Sequence, residues 1–376
     1  MVAICVGTMA LVIILSVFNG LEDLNRQVFK SFDPDLKISS TKSKSFFFDL
    51  DQKKKIEKIQ GVKFVTEVYQ DKALARSKDA QMIVVIKGVD STFEQNVGLK
   101  AAVVEGKMAL KNGNRPMAFV GSGTYNVLDL RVDDYLNPLG LTYPKNQKLN
   151  VLNPEGNVNS TALEISGVFV LEAQYDHYVY LPLEVVENLT DKIGKRTAIE
   201  ITLADGVDPQ GIKSQIQDIL NKDLIVKDRD EQNEALLKAI KIEKLFIFIA
   251  LIFIIGIASF NIFYALSMLV IDKKDDIQTL SSIGAKPSFV SKIFLFEGFI
   301  ISGVGLVLGL VIGLSICFLQ QKYGFVKLGM QYALVDAYPV KIAWMDIFWS
   351  VFWVASISVV ASIIPAKRAV NYMLKF

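Results

Sequence analysis

Residues Val270–Gly298 read "VIDKKDDIQTLSSIGAKPSFVSKIFLFEG", a charged and partly amphipathic stretch set between two long apolar segments. Upstream, Leu245–Ile271 carries no charge, and downstream Ile293–Leu319 carries only Glu297. A bilayer core takes roughly 20 apolar residues in helix, so each neighbour is long enough to cross one. Within the stretch, Ile277, Leu280 and Ile283 recur every third residue and would share one helical face, with Asp275 and Asp276 placed where negative charge complements a helix start. Gly284 is a helix stop and Pro287 a helix start. The spacing predicts a short amphipathic helix over Lys273–Ile283, tied at both ends to a membrane span.

Working outward, Ala343–Ile364 is a third span, with Asp346 near its start. Val2–Phe18 is uncharged but short, and we read it as an N-terminally truncated fourth span. A signal peptide would need a basic lead-in and a small-residue cleavage site, neither of which is evident here. The composition agrees with a membrane protein: 51% of the 376 residues are hydrophobic and the net charge is only +2. Basic residues are scattered without an aromatic-interleaved face, so nucleic-acid binding is set aside. Cys5 and Cys317 lie in apolar runs and His177 is the one histidine, so neither a disulfide framework nor a metal cluster can be assembled.

Orientation follows from lysine and arginine in short loops. The 272–292 segment and the tail hold Lys273, Lys274, Lys286, Lys292, Lys367, Arg368 and Lys375, against Lys322, Lys327 and Lys341 in the 320–342 loop, seven to three. This predicts both termini in the cytoplasm. The expected order is helix 1 over 1–20, an extracytoplasmic α+β domain over 21–243, helix 2 over 244–271, a cytoplasmic segment over 272–291, helix 3 over 292–319, an outer loop over 320–342, helix 4 over 343–364 and a tail over 365–376.

The polar block is long enough for a core of its own. "DLKISS", "DLDQKKKIEKIQ" and "GVKFVTEVY" read β–α–β, and "TAIEITL", "DPQGIKSQIQDILN" and "DLIVKD" read β–α–β again, with Asp208 and Pro209 as N-cap and first helical residue. Between them lie strand-like runs "QMIVVIKGV", "MAFVGS", "KLNVLN", "ALEISGVFV" and "HYVYLPLEVV". The turn "NPEGNVNST", Asn153–Thr161, is a candidate recognition loop. No G-x-x-x-x-G-K-[ST] phosphate loop occurs, "VGSGTYN" is not a nucleophile elbow, and no catalytic residues are assigned. Gly305, Gly309 and Gly313, every fourth residue, would let another helix approach closely.

"DKKDDIQTLSSIGAKPSFVSKIFLFEGFIISGVGLVLGLVIG" resembles the junction between the second and third spans of FtsX-like permeases, the type VII ABC transporters. The likeness covers the chain in order, and the opening "VGTMALVIILSVFNGLE" is most similar to the lipoprotein-releasing, LolC/LolE-type permeases. The resemblance implies a non-catalytic subunit paired with a second permease subunit, identical or paralogous, and driven by a cytoplasmic ABC ATPase dimer. ATP and magnesium would bind that ATPase, leaving this chain without a cofactor. It further implies that Lys273, Lys274, Asp276, Ile277, Thr279, Leu280, Ile283 and Gly284 form a coupling helix. Lipoprotein cargo would leave the outer leaflet of the inner membrane for a periplasmic carrier, gripped by a loop at Pro154, Glu155, Gly156, Asn157, Val158 and Asn159. Ile13, Val17, Phe253 and Phe260 would wall a lipid-cargo cavity between the first two spans. The alternatives are an efflux or peptide exporter of the FtsX/MacB kind and a regulator of a cell-wall hydrolase.

Overall fold

The computed structural model describes residues 1–95, 97–145, 154–171, 175–327 and 337–374. They form two compact units, a helical one from residues 1–25, 235–327 and 337–374 and a mixed α/β one lying between residues 26 and 234. Four helices among the described residues are long and apolar enough to cross a membrane.

The chain enters through α1 (Val2–Phe32) and continues as β1 (Leu36–Ser40), β2 (Phe46–Phe47), α2 (Leu50–Glu57), β3 (Val62–Ser77) and β4 (Ala80–Val89). Next come α3 (Val97–Ala101), β5 (Val103–Gly106), β6 (Lys111–Asn112), β7 (Arg115–Gly121), α4 (Ser122–Val127), β8 (Leu139–Pro144), β9 (Val158–Phe169), β10 (Tyr178–Pro182) and α5 (Leu183–Thr190). The return runs through β11 (Lys195–Arg196), β12 (Ala198–Leu203), α6 (Pro209–Ile219), β13 (Leu224–Asp228) and α7 (Arg229–Gln232). The helical unit then takes α8 (Glu234–Asp272), α9 (Lys274–Ser282), α10 (Pro287–Tyr323) and α11 (Trp344–Leu374).

Both predicted β–α–β units form, as β1–α2–β3 and β12–α6–β13, and they interleave so that the strands lie in the order β13-β1-β12-β3. Apolar residues at alternate positions, Leu36 and Ile38 on β1 and Ile199 and Ile201 on β12, turn to one face and close over Ile56 of α2 and Ile212 and Ile216 of α6. Asp208 caps α6 by accepting from the Gln210 amide at 3.2 Å, with Pro209 opening the helix. The sheet then continues without a break through β4, β10, β7, β9 and β5, so the strand-rich middle is an extension of the platform sheet. β3 is the shared member: Val62–Val68 pair with β12, and Val68–Ser77 pair with β4. At 16 residues it is a strand about 50 Å long.

Several extents differ from expectation. α1 runs to Phe32, α8 already starts at Glu234 and α10 ends at Tyr323, while α10 does start at the expected Pro287. Hydropathy marks only the apolar part of a helix, whereas backbone hydrogen bonding carries the helix on into polar sequence. The segment expected as a tail is the end of α11, which passes through Pro365 to Leu374. "LEVV" leaves the β10 strand and becomes the start of α5, and "KLNVLN" lies outside the described residues.

Candidate functional site

The short helix α9 is bounded as its residues dictate. Lys273 precedes it, Asp275 and Asp276 occupy its first turn, and Gly284 ends it at φ +90°, a left-handed conformation costly for any residue with a Cβ. There the Gly284 amide donates to the Ser281 carbonyl at 2.9 Å and the Ala285 amide to the Leu280 carbonyl at 3.0 Å, satisfying helix-end carbonyls. The Lys273 ammonium meets the Asp276 carboxylate at 3.0 Å, a partner that raises the amine's pKa above its usual value. The Thr279 hydroxyl donates to the Asp275 carbonyl at 2.9 Å.

The three apolar residues of α9 part company. Ile277 is 2% exposed and packs in one cluster with Val270 of α8, Val290 and Phe294 of α10, and Ala366 and Ala369 of α11. Leu280 is half-buried, while Ile283 is 79% exposed. α9 is thus fastened by one side chain to all three neighbouring helices and presents an isoleucine at its other end.

In the α/β unit, the recognition loop is part of a hairpin. β8 and β9 pair antiparallel from Leu139↔Leu163 to Pro144↔Val158, and the Lys145 amide donates to the Asn157 carbonyl at 2.8 Å. Pro154–Asn157 form one 3₁₀ turn, which includes Glu155 and Gly156. Val158 and Asn159 belong to β9 itself, because they pair with Pro144 and Tyr143 of β8, a long-range contact that the Gly/Pro/Asn composition does not indicate. The Asn159 amide donates to the Leu189 carbonyl at 3.0 Å and to Asp191 at 2.8 Å, pinning the hairpin to the end of α5. Asn153 lies outside the described residues.

A charged cluster braces the middle of this unit. Glu67 of β3 accepts from Lys53 of α2 at 2.8 Å and from Arg196 of β11 at 2.6 Å, and Arg196 also reaches Glu187 of α5 at 2.6 Å. Burial by itself would push the Glu67 carboxyl up, but the Lys53 and Arg196 hydrogen bonds outweigh it and hold the pKa below its ordinary value.

Residues 248–373 match the FtsX-like permease C-terminal family, and residues 1–219 match the MacB-like periplasmic core domain family. The chain is an FtsX-like permease with a MacB-like periplasmic core. It is similar to the lipoprotein-releasing system transmembrane protein LolE of Haemophilus influenzae, at 24% identity over 98% of this chain and 90% of that one. It is also similar to the lipoprotein-releasing system transmembrane protein LolC of Buchnera aphidicola subsp. Schizaphis graminum, at 26% identity over 85% and 78% of the two chains. Among solved structures, the periplasmic region of MacB from Actinobacillus actinomycetemcomitans aligns with 55% of this chain and 95% of its own, with 13% identity and a TM-score of 0.38.

In this multi-pass permease the α10 glycines lie against α1. A Cβ on Gly309 would sit 2.5 Å from the Cys5 carbonyl oxygen, one on Gly305 2.8 Å from that of Met1, and one on Gly313 3.2 Å from that of Met9. Gly298, earlier on α10, instead faces the Ser362 side chain of α11. The four residues proposed for a cargo wall do not come together within the chain. Ile13 and Val17 are half-buried on α1, but Phe253 and Phe260 are 69% and 59% exposed. At 100° per residue they lie nearly opposite Ile255 and Ile262, the α8 residues that share a core with Ile4, Leu11 and Leu15 of α1.

Sequence reasoning did not single out a polar knot at one end of the bundle. Asn19 of α1 donates its amide to Asp346 of α11 at 2.7 Å, and Lys244 of α8 donates to both Asn19 and Asp346 at 2.7 Å. Lys341 pairs with Asp23 close by in sequence to the same two helices. The available signal was positional: each of Asn19, Lys244 and Asp346 stands at the boundary of an apolar run, where a polar residue needs a partner.

Proposed function

We propose that this chain is the permease subunit of an ATP-driven, mechanotransmitting ABC transporter that extracts lipoproteins from the outer leaflet of the bacterial inner membrane and hands them to a periplasmic carrier. The observation that carries this reading is the similarity, over 98% of the chain, to a protein named as a lipoprotein-releasing transmembrane subunit. In this reading both termini and α9 face the cytoplasm, in line with the lysine and arginine balance, and the α/β unit is periplasmic.

The energy source is a separate cytoplasmic ATPase dimer that holds ATP and magnesium. Its closure presses on Ile283 and Gly284, and the buried Ile277 carries the displacement into α8, α10 and α11. A second permease subunit completes the pair. Phe253 and Phe260, exposed on α8, face that subunit or the acyl chains, and the β8–β9 hairpin contacts the carrier. Along β3, one continuous strand joins the platform to the lobe bearing that hairpin, so the two lobes move together.

The test is release of a radiolabelled lipoprotein from proteoliposomes holding the permease with its ATPase, scored by transfer to a soluble carrier. ATP-dependent transfer is expected. Intact ATP hydrolysis without transfer would overturn lipoprotein release and favour an exporter, the reading the MacB-like core leaves open.

A further inference from the structure

Beside the Asn19–Lys244–Asp346 knot, a cavity of about 270 Å³ opens between α1, α8 and α11. Its polar end is formed by Lys241, Lys244 and Asp346, and its apolar end by Phe248, Trp349 and Trp353. Lys241, Lys244 and Phe248 follow one another at helical spacing on one face of α8, so the two ammonium groups lie one turn apart above an apolar residue. Asp346 already accepts from both Lys244 and Asn19, so the lining carries two cations against one anion. The exposed Lys241 supplies the surplus positive charge.

The apolar end continues along α11. Phe348, Trp349, Phe352 and Trp353 stack edge to face, with successive centroids 5.7, 5.8 and 5.7 Å apart. On the same helix Phe348, Phe352, Ala355 and Val359 form an apolar face. A cation-rich mouth at the end of the apolar runs, with aromatics beneath it and an apolar helix face beyond, is complementary to an amphiphile with an anionic head. The volume suits a head group rather than a whole lipid, whose chains would lie along the apolar face of α11.

We propose that this pocket binds the head group of an anionic phospholipid, with Lys241 and Lys244 taking the phosphodiester and the aromatic ladder of α11 taking an acyl chain. The proposal does not rest on lipoprotein release.

All three tryptophans of the chain are at 344, 349 and 353, which makes the site readable by fluorescence. Trp344 is 75% exposed, so Trp344→Phe leaves Trp349 and Trp353 as reporters with little loss of packing. The full chain carrying this change is reconstituted in phosphatidylcholine vesicles, and quenching is compared for phosphatidylglycerol and phosphatidylcholine brominated on their acyl chains. The expected result is a preference of about fivefold for the anionic lipid, the effect of one lysine near a membrane surface. Lys241→Gln should remove the preference, whereas Lys286→Gln, at the start of α10, should keep it. Equal quenching by the two lipids, or equal loss of the preference in the Lys286 variant, would each overturn the proposal.

Discussion

Truncating Ile277 separates the docking of α9 from its contact with a partner. The side chain is 2% exposed among Val270, Val290, Phe294, Ala366 and Ala369, so Ile277→Ala leaves a void that backbone atoms of three different helices must close. Such truncations cost about 2–4 kcal/mol. Here the loss falls on the docked state of a nine-residue helix rather than on the whole bundle. It shifts the docked-to-undocked balance by roughly 30- to 700-fold. The assay is limited proteolysis in proteoliposomes at Lys273 and Lys274, with the cleavage rate at fixed protease reporting the open fraction. Ile277→Ala should raise that rate steeply. Ile283→Asp, at a side chain 79% exposed, should leave it unchanged while reducing ATP-coupled activity. Unchanged protection in Ile277→Ala, or digestion in Ile283→Asp, would refute the assignment of Ile277 as the anchor.

Gly309→Ala places a methyl group against the Cys5 carbonyl, backbone that cannot rotate away, and should lower the thermal midpoint of the detergent-solubilised chain. Gly303→Ala, whose Cβ would meet no heavy atom within 4 Å beyond its own helix backbone, should not lower that midpoint. For the polar knot, Lys244→Ala leaves the Asp346 carboxylate short of its cation and should cost about 3 kcal/mol. The double variant with Asp346→Ala should cost less than the sum of the single changes, measured as a thermodynamic cycle. In the α/β unit, the Glu67 carboxyl binds its proton less tightly folded than unfolded. Its contribution is therefore complete above its ordinary value of 4.5 and drains away as pH falls through the lower folded value. Glu67→Gln should lower stability at neutral pH and flatten the acid side of the stability profile. An unchanged acid slope would show that the Lys53 and Arg196 contacts do not set that carboxyl's affinity.

Much of the architecture was legible because it rests on local physics. The four apolar runs announce spans because a bilayer fixes the length a helix must have, and Gly284, Pro287 and Asp208–Pro209 mark helix ends by backbone rules acting within a turn. The two β–α–β units follow from strand and helix periodicities that alternate along the chain. The α9 face shows where this stops. Ile277, Leu280 and Ile283 are equivalent by spacing, yet one is buried, one half-buried and one exposed. Which of them is the anchor depends on where Ala366 and Ala369 arrive, more than eighty residues later in the chain.

The same limit applies to the rest of the site. Periodicity marks the glycine stripe of α10 as a place of close approach, but only the packed bundle gives α1 as the neighbour and the Cys5 carbonyl as the atom that forbids a side chain at 309. The interleaving of the two β–α–β units and the run of β3 through both lobes are matters of which strands pair, and pairing is set by long-range hydrogen bonds. Asn19, Lys244 and Asp346 lie far apart in sequence, and a polar residue at the edge of an apolar run shows only that it needs a partner. Sequence by itself therefore determined the spans, the helix stops and starts at Gly284, Pro287 and Asp208–Pro209, and the family likeness. The tertiary structure decided which boundary residues meet, which isoleucine anchors α9 and where a cationic pocket opens, because each of these joins side chains from separate helices.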